Sequence, residues 1–162
     1  MSDDTTERDG DPPHCPRHIC QHLIDVTGDA MFNDDFDTFA DCFKIPHRIE
    51  TFEAHRIVRT LDDLRSVFDG VRAHHNEIGA TAIVRRSIAA EFIAPDRISS
   101  THRSWVMRDS IILLRPYPVH SVMEKIGGAW KVSDSRYAIV DAPTLSGALD
   151  GSLDNARLAE PT

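Results

Sequence analysis

Within FDTFADCFKIPHRIET, residues 36–51, the hydrophobic period changes from that of a helix to that of a strand, and Pro46 marks the change. Phe36, Phe39, Ala40 and Phe43 stand at i, i+3, i+4 and i+7, the spacing of one helix face. Asn33-Asp34-Asp35 ahead of them breaks any earlier helix and offers a capping carboxylate. Proline cannot continue a helix, so the short helix is predicted to stop there. From His47 apolar and polar residues alternate, giving HRIETFEA and HRIVRT as two short strands turning around residues 53–55.

The flanking segments extend this order. Ile19, Leu23, Val26 and Ala30 predict a first helix over about 16–32. Thr60 with Asp63 resembles a capping box and opens a third helix, 60–78, bearing Leu61, Leu64, Phe68, Val71 and Ile78; Gly79 ends it. Strands are predicted over 81–93, 97–107 and 117–126, and Gly127-Gly128 turns the chain into a last strand, 130–140. Pro116 and Pro118 around Tyr117 predict an edge or bulge, because proline lacks the donor that a central ladder uses.

The net charge of −8 belongs mainly to the ends. Residues 1–13 carry five acids against Arg8, and 141–162 carry four against Arg157, while 85–136 hold nine bases and five acids. Both ends are poor in large apolar side chains, so the expected organisation is a disordered acidic tail over 1–13, one α+β domain over 14–142 and a flexible tail over 143–162, with at most a weak helical turn within 145–158. No apolar run is long enough to span a bilayer, and the start is acidic, unlike a secretory signal. Three cysteines, Cys15, Cys20 and Cys42, make an odd count that favours reduced thiols in a cytoplasmic setting. Without a basic run interleaved with aromatics, nucleic acid is not an expected partner.

The order α-α-ββ-α-βββ, the acidic break before FDTFADCF, the proline after it and the closing GGAWKVSDSRYAI resemble the nuclear-transport-factor-like superfamily, in its SnoaL-like branch, over residues 16–140. The resemblance implies a cone, in which a strongly curved sheet wraps three helices and leaves a small-molecule pocket against the long one. It does not imply a reaction, since one fold hosts unrelated activities. Ketosteroid isomerases, scytalone dehydratase, limonene epoxide hydrolase and polyketide cyclases in the superfamily place acids, bases or donors inside the cone and need no cofactor. Alignment on the strand after the second helix puts Thr51 where isomerases carry their base carboxylate, and threonine cannot take a proton from carbon. The epoxide hydrolases set an arginine beside two acids, whereas THRSW supplies Arg103 without a neighbouring aspartate.

Alternation then nominates pocket residues. His47, Ile49 and Thr51 share the face that the alignment sets inward. On 81–93 the apolar set Ala82, Val84, Ile88, Ala90 and Phe92 encloses Arg86, which is either partnered in the core, turned to solvent by a bulge, or waiting for an anionic ligand. On 97–107 the bulkier face carries Thr101, Arg103, Trp105 and Met107 and is expected inward. Tyr117 is either a donor at the pocket mouth or an amphipathic rim residue. His75, on the stripe of Phe68, Val71 and Ile78, is a core histidine or a general acid or base, and His47 is the second candidate for that role.

HCPRHICQH places Cys15, His18 and His22 along one helix face, but offers a single half-site with no evident fourth ligand, so no metal is expected. Three functional classes stay open: a cofactor-free isomerase, cyclase or dehydratase acting by acid–base chemistry; a non-catalytic module for a small anionic or aromatic ligand; and an oligomeric partner similar to the small subunits of ring-hydroxylating dioxygenases. Apolar residues on both faces of 111–114 and 119–123 predict a homodimer through the outer face of the sheet.

Overall fold

The computed structural model describes residues 14–152. Helix α1, Pro16–Phe32, is followed by a turn at Asp34 and by α2, Phe36–Asp41, whose first turn is capped by the Asp35 carboxylate accepting from the Thr38 amide at 3.2 Å. Strands β1, Phe43–Glu50, and β2, His55–Val58, form an antiparallel hairpin. The long helix α3, Leu61–Ile78, starts on Thr60, whose hydroxyl accepts from the Asp63 amide at 3.0 Å, and stops at Gly79 with φ of 75°. Strands β3, Ala82–Ala94, β4, Arg97–Arg108, β5, Ile111–Ile112, β6, Tyr117–Ile126, and β7, Ala129–Tyr137, complete the sheet.

The strands run in the order β2-β1-β7-β6-β4-β3, with β5 on β4; β1 and β7 pair in parallel, and the other pairs among the described residues are antiparallel. This is the expected α+β class, helices first and strands last, with the curved sheet enclosing the helices. The core is continuous from Phe39, Phe68 and Leu64 through Val58, Val106 and Val119. A smaller cluster, built on Ile19, Leu23, Ile98, Met123 and Val132, lies under the start of α1.

Three local expectations are corrected. Helix α2 ends at Asp41, and Phe43 already belongs to β1, where its ring still meets Phe39 at 4.8 Å and His47 at 5.0 Å. Pro46 therefore sits inside a strand. It is tolerated because the β1–β7 register breaks between Phe43 and Arg48, where the ladder does not need its missing N–H.

The second correction concerns face. On β4 it is Ser100, His102, Ser104 and Val106 that are buried, so Arg103 and Trp105 lie on the outer side. A register shift between Ser87 and Ala89 in the β3–β4 ladder leaves an extra residue, Ile88, and inverts the alternation beyond it. Ile83, Arg85 and Ser87 face inward before this bulge, opposite Val106, Ser104 and His102, while Ala90 and Phe92 stand opposite the inward Ser100 and Ile98 after it. The apolar set read from the sequence thus mixed two faces, and Arg86 points outward, opposite Arg103.

The third concerns the end of the domain. Pro143–Asp150 is a helix, α4, not part of a flexible tail, and Leu145, Ala148 and Leu149 are buried in the main core. It crosses α3 so closely that a Cβ built on Gly70 would lie 3.1 Å from Ala148 Cβ. The Thr51 hydroxyl donates to the buried Asp150 carboxylate at 2.6 Å, pinning the end of α4 to the β1–β2 hairpin. Eight residues cannot hold a helix alone in water, so docking supplies its stability. The expected acidic tail, 1–13, and the remainder of the expected C-terminal tail, 153–162, lie outside the described residues. Among the described residues no helix is long and apolar enough to cross a membrane.

Candidate functional site

Between the concave sheet face and the helices lies a cavity of about 70 Å³. Its apolar wall includes Met31, Phe39, Phe43, Leu64, Val67 and Val71, and Leu145 and Leu149 of α4 close one side. Its polar lining comprises Thr27, His47, His75, Arg85, Ser104, Tyr117 and Tyr137, and among the described residues no carboxylate joins them.

His75 reaches the cavity from the last turn of α3. It is 5% exposed, its ring stacks on Phe32 at a 5.2 Å centroid distance, and neither ring nitrogen has a hydrogen-bond partner among the described residues. Burial, then the neighbouring His74, Arg85 and Arg72, push its pKa down to about 4, so at neutral pH the ring is an uncharged acceptor and donor. His47, on β1, is 1% exposed and its Nδ1 lies 3.2 Å from the Val132 carbonyl. A carbonyl only accepts, so Nδ1 carries the proton and Nε2 is left as the basic nitrogen. Burial brings this pKa to about 4 as well, partly opposed by that hydrogen bond.

Tyr117, first residue of β6, is buried, not a rim residue, and desolvation lifts its pKa to about 12. The phenol therefore stays protonated and works as a donor, with Ser104 as a neighbouring partner. Tyr137 is raised by burial in the same way. Arg85 enters from β3: its Nη1 donates to the Ile24 carbonyl at 3.0 Å and the Thr27 hydroxyl at 2.8 Å, while its Nε is buried without a partner. Beside it His102, directly across from Ser87, is 3% exposed with both nitrogens unpaired, and burial drives its pKa down to about 2.

Of the residues nominated from sequence, the structure brings His47, His75 and Tyr117 together in the cavity. Thr51 is inward and buried, as alternation requires, but it binds Asp150 and borders a shallow depression at the hairpin end instead. Arg86, Arg103 and Trp105 are on the opposite side of the sheet. Thr27, Arg85, Ser104 and Tyr137 were not nominated from the sequence. Arg85 was recoverable only by placing the bulge at Ile88, and no residue type there announces one. His18 and His22 are exposed and border a separate groove of about 500 Å³ with Asp41, Trp130 and Lys131. Among the described residues no three histidines, cysteines or acids converge as metal ligands, and all three cysteines are free thiols.

No family model matches the chain, and no curated protein matches it. Solved structures do. A protein of unknown function from Mycobacterium tuberculosis aligns with a TM-score of 0.62 at 16% identity, over 86% of this chain and 92% of that one. An NTF2-like protein with a cystatin-like fold from Novosphingobium aromaticivorans gives 0.61 at 14%, over 83% and 88%. A ketosteroid isomerase-like protein from Erwinia carotovora atroseptica gives 0.55 at 9%, over 77% and 96%. At such identities the likeness concerns backbone architecture, and it agrees with the element order read from the residues: this chain has the NTF2-like fold.

Proposed function

We propose that the cavity holds a small, mainly apolar molecule and that His75 exchanges a proton with it, in cofactor-free chemistry of the isomerase, cyclase or dehydratase kind. One observation carries the reading. A histidine at 5% exposure, with both ring nitrogens unpaired, faces a cavity in which a buried phenol, Tyr117, is the opposing donor. A buried polar group without a partner costs on the order of 1–3 kcal/mol, so ring nitrogens beside a cavity favour a molecule there that can hydrogen-bond to them. Neutral His75 accepts a proton from carbon, the Tyr117 hydroxyl donates to the oxygen on which charge develops, and the apolar wall strengthens both interactions by excluding water. His47 is the second candidate for the proton-accepting role.

The lack of any carboxylate in the lining favours a second reading, a non-catalytic binding module. Proton exchange separates the two. Small cyclic ketones such as 2-methylcyclohexanone, incubated with the protein in deuterium oxide, are expected to lose their α-proton NMR signals faster than in buffer. The His75→Phe variant, which keeps a ring against Phe32, is expected to lose at least about a hundredfold of that rate, the usual contribution of a positioned base. Binding without exchange would select the module; neither binding nor exchange would sink both readings.

A further inference from the structure

We infer that the cavity takes its ligand as a monoanion, with Arg85 anchoring a carboxylate and the apolar wall covering the rest of the molecule. The inference rests on the reading of the cavity as a ligand site and adds the class of ligand.

The polar end of the cavity carries an imbalance of charge. Arginine keeps its charge wherever it sits, and a guanidinium withdrawn from water needs an anion or a full set of acceptors. Arg85 is half-buried and lines the cavity, yet among the described residues it forms no ion pair. Its Nη1 is held by two neutral oxygens, the Ile24 carbonyl and the Thr27 hydroxyl, which fix the fork in place without neutralising it. Its Nε has no acceptor among the described residues. The carboxylates of Asp25 and Asp29, on the same helix as Thr27, are on its exposed side.

The surroundings agree. Arg85 shares the cavity lining with His75, Tyr117 and Tyr137, and its charge bears on those three and on the nearby His102. Those four groups are neutral near pH 7, so the site has a single uncompensated positive charge and several neutral donors. That set matches one negative charge spread over two oxygens: a carboxylate accepts a guanidinium in a planar, charge-assisted pair and has lone pairs left for a phenol. A phosphate dianion would bring a second charge that nothing in the lining offsets. By contrast Arg86, one residue along the same strand, faces outward opposite Arg103 and provides a matched control.

Calorimetric titration with cyclohexanecarboxylate and with cyclohexanecarboxamide, alike in shape and different in charge, tests the inference. The carboxylate is expected to bind at least about tenfold more tightly to the unmodified protein, as charge-assisted hydrogen bonds do. That preference is expected to vanish in Arg85→Met and to persist in Arg86→Met. Equal binding of the two probes to the unmodified protein, or a preference that survives Arg85→Met, overturns the inference. Should Arg85→Met not fold, Arg85→Lys decides: a preference unchanged by losing the planar fork counts against Arg85 as the anchor, and a reduced one supports it. Amide and carboxylate binding alike, with ketone exchange intact, would remove the anion and leave the proposed chemistry standing. Failure of both probes to bind, together with absence of exchange, would remove the ligand site itself.

Discussion

Arg85 and Arg86 are neighbours on one strand, chemically identical, and they face two different solvents. On the concave side, His75, His102, Ser87 Oγ and Arg85 Nε are buried polar groups without a partner among the described residues, while on the outer side His120 Nδ1 is in the same state. The outer side carries Arg86, Arg103 and Arg136 among exposed apolar residues such as Val84, Ile88, Ile111 and Ile112, with Trp105 half-buried between. A polar atom on the outer face is satisfied by water at no structural cost, whereas one on the inner face is satisfied by protein, by trapped water or by a ligand. Residue type therefore says little about role in this sheet, and the parity of the strand position says a great deal.

The largest effect is expected from opening the inner side. A chain ending at Ala142 lacks Leu145 and Leu149, which are 1% and 5% exposed and line the cavity. Burying each leucine is worth roughly 2 kcal/mol, so removal of α4 should lower stability by at least about 4 kcal/mol in denaturant titration. A melting temperature unchanged by that truncation would show that the concave face does not depend on its fourth helix.

A medium effect is expected from acid. His75 and His47 have folded-state pKa values pushed below the ordinary 6.5, to about 4, so the unfolded chain binds more protons between those values. Their contribution is complete above about pH 6.5 and is lost as pH falls toward 4, on the order of 3 kcal/mol for His75 alone. His75→Phe should flatten the fall in stability over that window, measured by urea titration at several pH values. An equally steep fall in the variant would mean that His75 titrates alike in the folded and the unfolded chain.

The smallest effect on the fold itself is expected from the outer face. If two copies pair through it, as apolar residues on both sides of the sheet suggest, Trp105→Glu should convert a sedimenting dimer to a monomer while changing monomer stability by less than about 0.5 kcal/mol. A monomer mass for the unmodified protein at micromolar concentration would break the comparison, leaving the outer apolar residues merely solvated.

Elements with strong local signals were readable from their residues. Helix α3 announces itself by Thr60, Asp63, a regular apolar stripe and Gly79, and each does in the structure what its chemistry requires. Strand β6 and the Gly127-Gly128 turn are equally local, both glycines having positive φ. From the site, His75 was reachable by helical periodicity, His47 by strand alternation together with the family alignment, and Tyr117 only as a residue singled out by its two flanking prolines, its burial being a tertiary result.

The sequence alone thus determined the order of elements, their caps and turns, and hence the NTF2-like fold, because those depend on contacts within a few residues. Tertiary structure decided which arginine the cavity receives and that residues 143–150 form its closing helix. A single bulge at Ile88 exchanges the faces of β3, and whether it forms depends on pairing with β4, not on the strand's own residues. Helix α4 carries too short an apolar stripe to be stable by itself, and it exists because Gly70, Thr51 and the open side of the core receive it.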